Sequence, residues 1–319
     1  MTGLAIPRQR RRMQRDRLRS WRRGDRIGLG LCWALGGLFC AIAAAIVIYM
    51  LVQGVRYLRP ALLVTHPSGG YGEAHSGGFL DPLLGTFLVA ALAMVVALPV
   101  GVATAVWLSE FGRPTWFARA TESTIEMIAG APSIVLALFG TILFQSGALG
   151  LFSRTAHGVV FGRSFFAAGA MLSLVALPLV VANTREGLQL IPSHVREASY
   201  AVGKTKAATI RRILLPAARP QMATGVILGI GRVIGDTAII VILLGATLTF
   251  NGAGGVAGLS TLRGTGSTLT SYIYTNSPAG EGNQPSKAYA AAFVLLLMVL
   301  VLNASVDLVA RRGRKHQWS

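Results

Sequence analysis

Two oppositely charged residues lie four positions apart inside a strongly apolar stretch of this sequence. The stretch reads GRVIGDTAII over residues 231–240, and the charged pair is Arg232 and Asp236. In a continuous helix this spacing places both side chains on one face. Either charge alone would be costly within a membrane, so both should face a bundle interior or a water-filled path. The guanidinium fork suits bidentate contacts to an oxyanion, so the pair is predicted either to serve an anion or to pin helix packing.

A second string, at residues 197–216, combines small residues, a glycine and a proline at fixed spacings. It reads EASYAVGKTKAATIRRILLP and fits the pattern E-A-A, three residues, G, nine residues, I-x-L-P at six of seven fixed positions. The seventh position is Ser199, where the pattern has alanine. The six positions that match are Glu197, Ala198, Gly203, Ile213, Leu215 and Pro216.

The residues around this string predict a short helix followed by a turn. Pro192 and Ser193 offer an N-cap, so we expect a helix that runs to about residue 202. Gly203 permits a sharp backbone turn that alanine would resist. Pro216 suits the first turn of the next helix, where its missing N–H costs nothing. Ala198 keeps one side of the short helix thin, so that a partner surface can approach closely.

The composition indicates a polytopic membrane protein. Of the 319 residues, 53% are hydrophobic and 13% are charged, and the mean hydropathy is +0.57. Soluble domains carry about 25% charged residues. Because lipid satisfies no backbone hydrogen bonds and no barrel-like alternation is visible, we expect α-helices, each with about 20 apolar residues. Six transmembrane helices are predicted, at residues 28–52, 83–108, 124–149, 165–184, 219–247 and 288–308.

The net charge of +18 could indicate a nucleic-acid-binding protein, but its distribution predicts a membrane topology instead. Of the 30 Lys and Arg residues, 23 lie in the two terminal tails, in the connection between the second and third spans, and in the segment from Arg185 to Arg219. Such an excess marks the cytoplasmic side of a membrane. We therefore expect both termini in the cytoplasm, external segments at 56–82 and 248–287, and no nucleic-acid partner. The basic N-terminal tail could also bind anionic membrane lipid.

The chain is expected to comprise four parts. These are a basic cytoplasmic tail at 1–26, a first transmembrane helix with an external loop at 27–79, a transport unit at 80–310, and a second basic tail at 311–319. The five histidines are scattered without the spacing of metal ligands, and Cys32 and Cys40 lie eight residues apart in one predicted helix, too far to pair. No metal, cofactor or catalytic constellation is predicted.

These strings together resemble the permeases of ATP-binding-cassette (ABC) importers. The string at 197–216 resembles their cytoplasmic coupling loop, which implies that its six matching positions couple to a separate ATPase. Further segments resemble the phosphate-specific permeases. The C-terminal part, with YIY (272–274) and LVLNASVDLVARR (300–312), is most similar to the PstA-type subunit. The segment GRVIGDTA (231–238) is similar to that family's G-R-x-x-G-E-T-A, with Asp236 in place of the usual Glu and with Thr237 at the Thr position. The other similar segments are GVATAVWLSEF (101–111), AGAPSIVLALFG (129–140) and the extended coupling region at 184–220.

The resemblance implies an all-α integral membrane protein with the type I ABC importer permease fold and a cytoplasmic coupling helix. It implies a transport subunit without its own ATPase site, in the plasma (inner) membrane of a bacterium. The implied partners are a second homologous permease, two cytoplasmic ATPase subunits and an external phosphate-binding protein. Arg232, Asp236 and Thr237 would lie on the substrate pathway. A permease for another solute, such as sulfate or molybdate, and a secondary transporter remain as alternatives, although the coupling pattern argues against the latter.

Overall fold

The computed structural model describes residues 23–67, 77–112, 115–153, 162–245, 262–278, 280 and 284–315. Within these ranges the chain is helical, and one isolated bridge joins Pro67 to Gly77. The α-helices are α1, Arg23–Tyr57; α2, Pro60–Val64; α3, Leu80–Val106; α4, Trp116–Gly130; α5, Ser133–Gln145; α6, Phe165–Gln189; α7, Ser193–Ala201; α8, Lys206–Thr209; α9, Leu215–Gly235; α10, Thr237–Leu243; α11, Leu269–Asn276; and α12, Pro285–Lys315. Two π-helical turns, Trp107–Phe111 and Ile210–Leu214, extend α3 and join α8 to α9.

The described residues divide into two units between Val52 and Gln53. The first unit is the N-terminal part of α1, which is apolar on all sides, and its large side chains such as Trp33 and Phe39 are exposed. A helix of this kind is expected to face lipid or another chain. The division lies within the segment 27–79 that the sequence predicts as one part, and the boundary at residue 80 stays a prediction.

The core of the second unit is built on α3, α6 and α9. Small side chains let these helices approach closely, as is usual for helices packed in membranes. A Cβ added at Gly169 of α6 would lie 2.8 Å from the Leu92 Cβ, and one added at Gly101 of α3 would lie 2.7 Å from a Val180 methyl group. Fully buried alanines such as Ala93 continue the same contact. This tight core supports the two helix breaks described next.

Five described helical segments are long and apolar enough to cross a membrane, and a bent pair would make a sixth. The first, second, fourth and sixth predicted spans correspond to continuous helices. The third, predicted at 124–149, is wrong as a single helix, because α4 and α5 meet at an angle of 106°. Pro132 causes this break, since it lacks an N–H and holds Ala131 in an extended conformation (ψ 133°).

The fifth predicted span, at 219–247, also differs from the structure. A continuous helical segment begins at Lys206 and ends at Gly235. Pro216 lies in the first turn of α9, as predicted, but α9 directly continues the π-helical turn, in which the Leu215 N–H donates to the carbonyl of Ile210. The wider turn shifts the hydrogen-bond register just where proline removes a donor. At the other end, Asp236 is extended (ψ 105°) and is the N-cap of α10.

Candidate functional site

Two helix breaks meet at one hydrogen bond in the core of the bundle. Ser133 is the first residue of α5, and its hydroxyl donates to Asp236 Oδ2 at 2.6 Å. Asp236 is the N-cap of α10, and its Oδ1 accepts from the Ile239 N–H at 3.0 Å. The aspartate is only 4% exposed. Both carboxylate oxygens are thus bound by short hydrogen bonds, which hold this buried charge in place.

Arg232 lies beside this carboxylate but is held loosely. Its Nη2 lies 3.4 Å from Ser133 Oγ and 3.9 Å from Asp236 Oδ2. The Arg232 side chain is 51% exposed, whereas that of Asp236 is 3% exposed. A Cβ added at Gly231 or Gly235 would meet no atom within 4 Å, so open space adjoins the arginine on its own helix. The guanidinium therefore retains donors that can reach a solute.

The prediction that Arg232 and Asp236 share one continuous helix face is wrong. The helix ends at Gly235, because the short Asp236 carboxylate caps the next helix instead of continuing the first. The two side chains still lie 3.9 Å apart at their nearest atoms. Ser133 of α5 contacts both of them through its hydroxyl group. Thr237 is the first residue of α10 and is half-buried; its role in a pathway stays a prediction.

A third element braces the break between α9 and α10. The Thr270 hydroxyl of α11 donates to the Ile234 carbonyl at 2.7 Å and satisfies an acceptor that the end of α9 leaves open. The N-terminus of α11 carries a capping box formed by Thr268 and Ser271. The C-terminal end of α9 is therefore held in place by a hydrogen bond from α11.

The predicted coupling helix is present as α7. Gly203 has φ +76°, and a Cβ there would meet no atom within 4 Å, so the backbone angle alone requires glycine. The Gly203 N–H donates to the Tyr200 carbonyl and the Lys204 N–H donates to the Ser199 carbonyl, which together form a Schellman motif. Of the two residues predicted to form the N-cap, Pro192 occupies that position, and Ser193 is the first helical residue, so no side chain caps the helix.

The six predicted coupling residues fall into two groups. Glu197, Ala198 and Gly203 are exposed, next to the large exposed side chains of Tyr200 and Val202. The other three are half-buried; they are Ile213, Leu215 and Pro216. Ile213 and Leu215 pack against a cluster that contains the buried Leu188 and Leu214. Only the first group is placed to touch another chain, and the second fixes the segment to the bundle.

Ser199 departs from the coupling pattern, and its environment shows why a hydroxyl fits there. The side chain is buried, and its Oγ lies 2.8 Å from the Thr209 Oγ1 on α8. This bond ties the coupling helix to the helical segment that follows it. Sequence reasoning recorded the departure but missed the partner, because a contact across the turn is not visible in the spacing.

Arg196 is the main attachment of α7 to the rest of the protein, and sequence reasoning missed it. Its Nε and Nη2 donate to Glu110 Oε1 at 3.2 and 3.1 Å, in the π-helical turn that ends the α3 segment. Its Nη2 and Nη1 also donate to the carbonyls of Leu188 and Ile191 at 2.8 and 2.7 Å. The Lys206 ammonium donates to the Glu110 carbonyl. Arg196 thereby joins the ends of α3, α6 and α7.

Metal chemistry has no support within the described residues, which contain no group of three or more His, Cys, Asp or Glu side chains that could hold an ion. Cys32 and Cys40 are both exposed on α1 and are not bonded to each other. The two regions described here are a charged pair at a helix break and an exposed face of α7.

Comparison with known proteins identifies relatives over most of the chain. Residues 97–315 match the family described as binding-protein-dependent transport system inner membrane component. The chain is 36% identical over 246 residues to the phosphate transport system permease protein PstA 1 of Mycobacterium tuberculosis, which covers 76% of this chain and 74% of that protein. It is 36% identical over 231 residues to the PstA protein of Mycobacterium leprae, with 72% and 70% covered.

Solved structures with a similar fold are ABC transporters. A bacterial alginate ABC transporter in complex with a pentasaccharide-bound periplasmic protein matches with a TM-score of 0.62 at 15% identity, covering 90% of this chain and 95% of that one. An inward-facing MetNI methionine ABC transporter matches with a TM-score of 0.51 at 20% identity, covering 84% and 97%. The chain thus has the helical, multi-pass fold of ABC importer permeases, and it belongs to the family of inner membrane components of binding-protein-dependent transport systems.

Proposed function

We propose that this chain is the permease subunit of an ATP-driven phosphate importer and forms half of its translocation pathway. The observation that carries the proposal is the 36% identity, over about three quarters of the chain, to a protein named as a phosphate transport permease. The transport unit spans residues 80–310, and α1 precedes it. The chain supplies a pathway and a coupling surface; the energy of transport comes from separate ATPase subunits.

The pathway passes the helix break at Asp236. An incoming phosphate takes bidentate hydrogen bonds from the Arg232 guanidinium, whose present contacts at 3.4 and 3.9 Å are weak. Asp236 stays in place when the arginine moves toward the anion, because Ser133 and the Ile239 N–H hold its oxygens. Its negative charge also repels the anion, so binding stays weak enough for release.

The exposed face of α7 docks on a cytoplasmic ATPase. Ala198 and Gly203 let the partner approach closely, while Tyr200 and Val202 offer apolar side chains that no residue of this chain covers within the described structure. Arg196 passes a displacement of α7 to the α3 segment through Glu110. The complete importer also contains a second permease like this one, a second ATPase subunit and an external phosphate-binding protein that delivers the anion.

The coupling surface and both termini face the cytoplasm. The support for this orientation is the charge asymmetry, since 23 of the 30 Lys and Arg residues lie in the tails and connections of that side. The pathway then runs from the external ends of α3 and α12 toward α7. Membrane lipid surrounds the exposed apolar side chains of α1.

The proposal is tested by uptake of labelled phosphate in cells that lack this gene and carry it on a plasmid. We expect the wild type to restore uptake, Arg232→Gln to reduce it at least tenfold at equal protein abundance, and Arg163→Gln to leave it unchanged. Arg163 is an exposed arginine that takes part in neither region described above.

Two outcomes would contradict the proposal. If excess unlabelled sulfate or molybdate suppresses uptake as well as unlabelled phosphate does, the substrate is wrong. If Arg232→Gln transports like the wild type, the guanidinium has no part in the pathway.

A further inference from the structure

A cavity of about 500 Å³ lies at the C-terminal end of α1, within the unit that begins at Gln53. Three cationic side chains line it, those of Arg56, Arg59 and Lys287. No carboxylate is present in the part of its lining that the structure describes. The cavity is far from the helix break at Asp236 in sequence, and neither Arg232 nor Ser133 lines it.

The charges around this cavity are arranged to favour an anion. Lys287 is 6% exposed, and its Nζ donates to the Gly77 carbonyl at 2.9 Å, so one cation is fixed in the wall. Arg56 and Arg59 are exposed, so their guanidinium groups can turn toward a ligand. Lys287 also lies in the first turn of the long helix α12, whose N-terminus adds a partial positive charge.

The position of the cavity along the helices matches the membrane–water interface. The Arg56 guanidinium lies 5.6 Å from the centre of the Tyr57 ring at the end of α1, and tyrosine and arginine are typical of the headgroup level. Gly77 lies just before α3, and the coupling helix is attached at the other end of that segment, at Glu110. At 1.5 Å per residue, the helical segment from Leu80 separates the two ends by roughly 45 Å.

We propose that this cavity binds a phosphate group through Arg56 and Arg59, with Lys287 as a fixed cation behind them. Phosphate oxygens accept paired hydrogen bonds from guanidinium groups, and the two arginines carry enough charge for a monoanion or a dianion. The group can come from inorganic phosphate on the external side or from a phospholipid headgroup at the same depth. The site does not depend on which solute crosses the pathway.

The test compares two probes on purified full-length protein. One probe is inorganic [32P]phosphate, measured by equilibrium dialysis in a neutral detergent; the other is phosphatidylglycerol retained by the protein, measured by native mass spectrometry. Both are measured in an Arg232→Gln background, so that phosphate on the pathway does not contribute. The variant is Arg56→Gln/Arg59→Gln, and the matched control, Arg163→Gln/Arg263→Gln, removes two charges outside the cavity lining.

We expect the cavity variant to bind one of the two probes at least tenfold more weakly, while the control binds both normally. Loss of inorganic phosphate alone identifies the free anion as the ligand, and loss of phosphatidylglycerol identifies the headgroup. In protein with both arginines intact, the same probe should slow the modification of Arg56 and Arg59 by phenylglyoxal severalfold without protecting Arg163, which tests the site without a variant. Equal binding of both probes by variant and parent, or binding of neither probe by the parent, overturns the proposal.

Discussion

Replacing Arg196 by methionine should detach the coupling helix from the end of the α3 segment. The substitution keeps an unbranched apolar stem but removes all four hydrogen bonds that Arg196 makes to Glu110, Leu188 and Ile191. It leaves the Glu110 carboxylate, whose side chain is 7% exposed, without its cationic partner. The cost is therefore that of an uncompensated buried charge and not merely that of a lost surface contact.

The magnitude follows from the burial of the pair. Breaking a buried ion pair by removing one partner costs about 3–5 kcal/mol. The lower end applies here, since the Arg196 side chain is 23% exposed and the Lys206 ammonium remains bound at the Glu110 backbone. A loss of about 3 kcal/mol corresponds to roughly a 100-fold shift in the equilibrium between attached and detached α7.

Hydrogen exchange measured by mass spectrometry on the purified importer reports this equilibrium directly. Amides within α7 should exchange roughly 100-fold faster in Arg196→Met. The double variant Glu110→Gln/Arg196→Met should recover part of the protection, because it leaves no bare charge. Arg211→Met, at an exposed arginine of the same segment, is the matched control and should exchange like the wild type. A change of less than threefold in Arg196→Met would refute the reasoning.

Three further predictions concern the turn, the charged pair and the orientation. Gly203→Val should abolish ATP-driven uptake, because valine resists φ +76°. Protein abundance should stay within about twofold, because no side chain crowds the position. Normal uptake would show that the turn is not needed for docking. Asp236→Asn should slow phosphate release and so lower uptake several-fold. The double variant Asp236→Asn/Arg232→Gln should not recover uptake. Recovered uptake in the double variant would mean that the pair only stabilises helix packing. In a protein without Cys32 and Cys40, a cysteine at Ser286 should react with an impermeant thiol reagent added outside and one at Lys204 should not; the opposite pattern would reverse the proposed topology.

The helix breaks illustrate what local sequence can and cannot predict. Pro132 and the Gly235–Asp236 step are both local signals that a helix ends, and attention to them would have divided the spans predicted at 124–149 and 219–247. Hydropathy concealed them, because the residues on both sides are apolar enough to continue a span. The prediction of one shared helix face for Arg232 and Asp236 failed for the same reason, since it assumed a continuous helix.

Other features depend on packing and leave no trace in spacing. Ser133 meets Asp236 across 103 positions of the chain, and Arg196 meets Glu110 across 86. The residues next to each of them in the sequence give no sign of the distant partner. The three cations of the cavity at the end of α1 come from α1, the start of α2 and the start of α12, and only the packing of those helices brings them together.

The sequence by itself determined the class of molecule. The lengths of the apolar runs require membrane helices, and the spacing from Glu197 to Pro216 specifies a helix, a glycine turn and a following helix, since both depend on residues close along the chain. The tertiary structure decided which charged side chains are buried and hydrogen-bonded and which stay exposed. It buries Asp236 between Ser133 and the Ile239 N–H while Arg232 stays half exposed, because hydrogen bonding and burial are set by neighbours from other helices and not by position in the sequence.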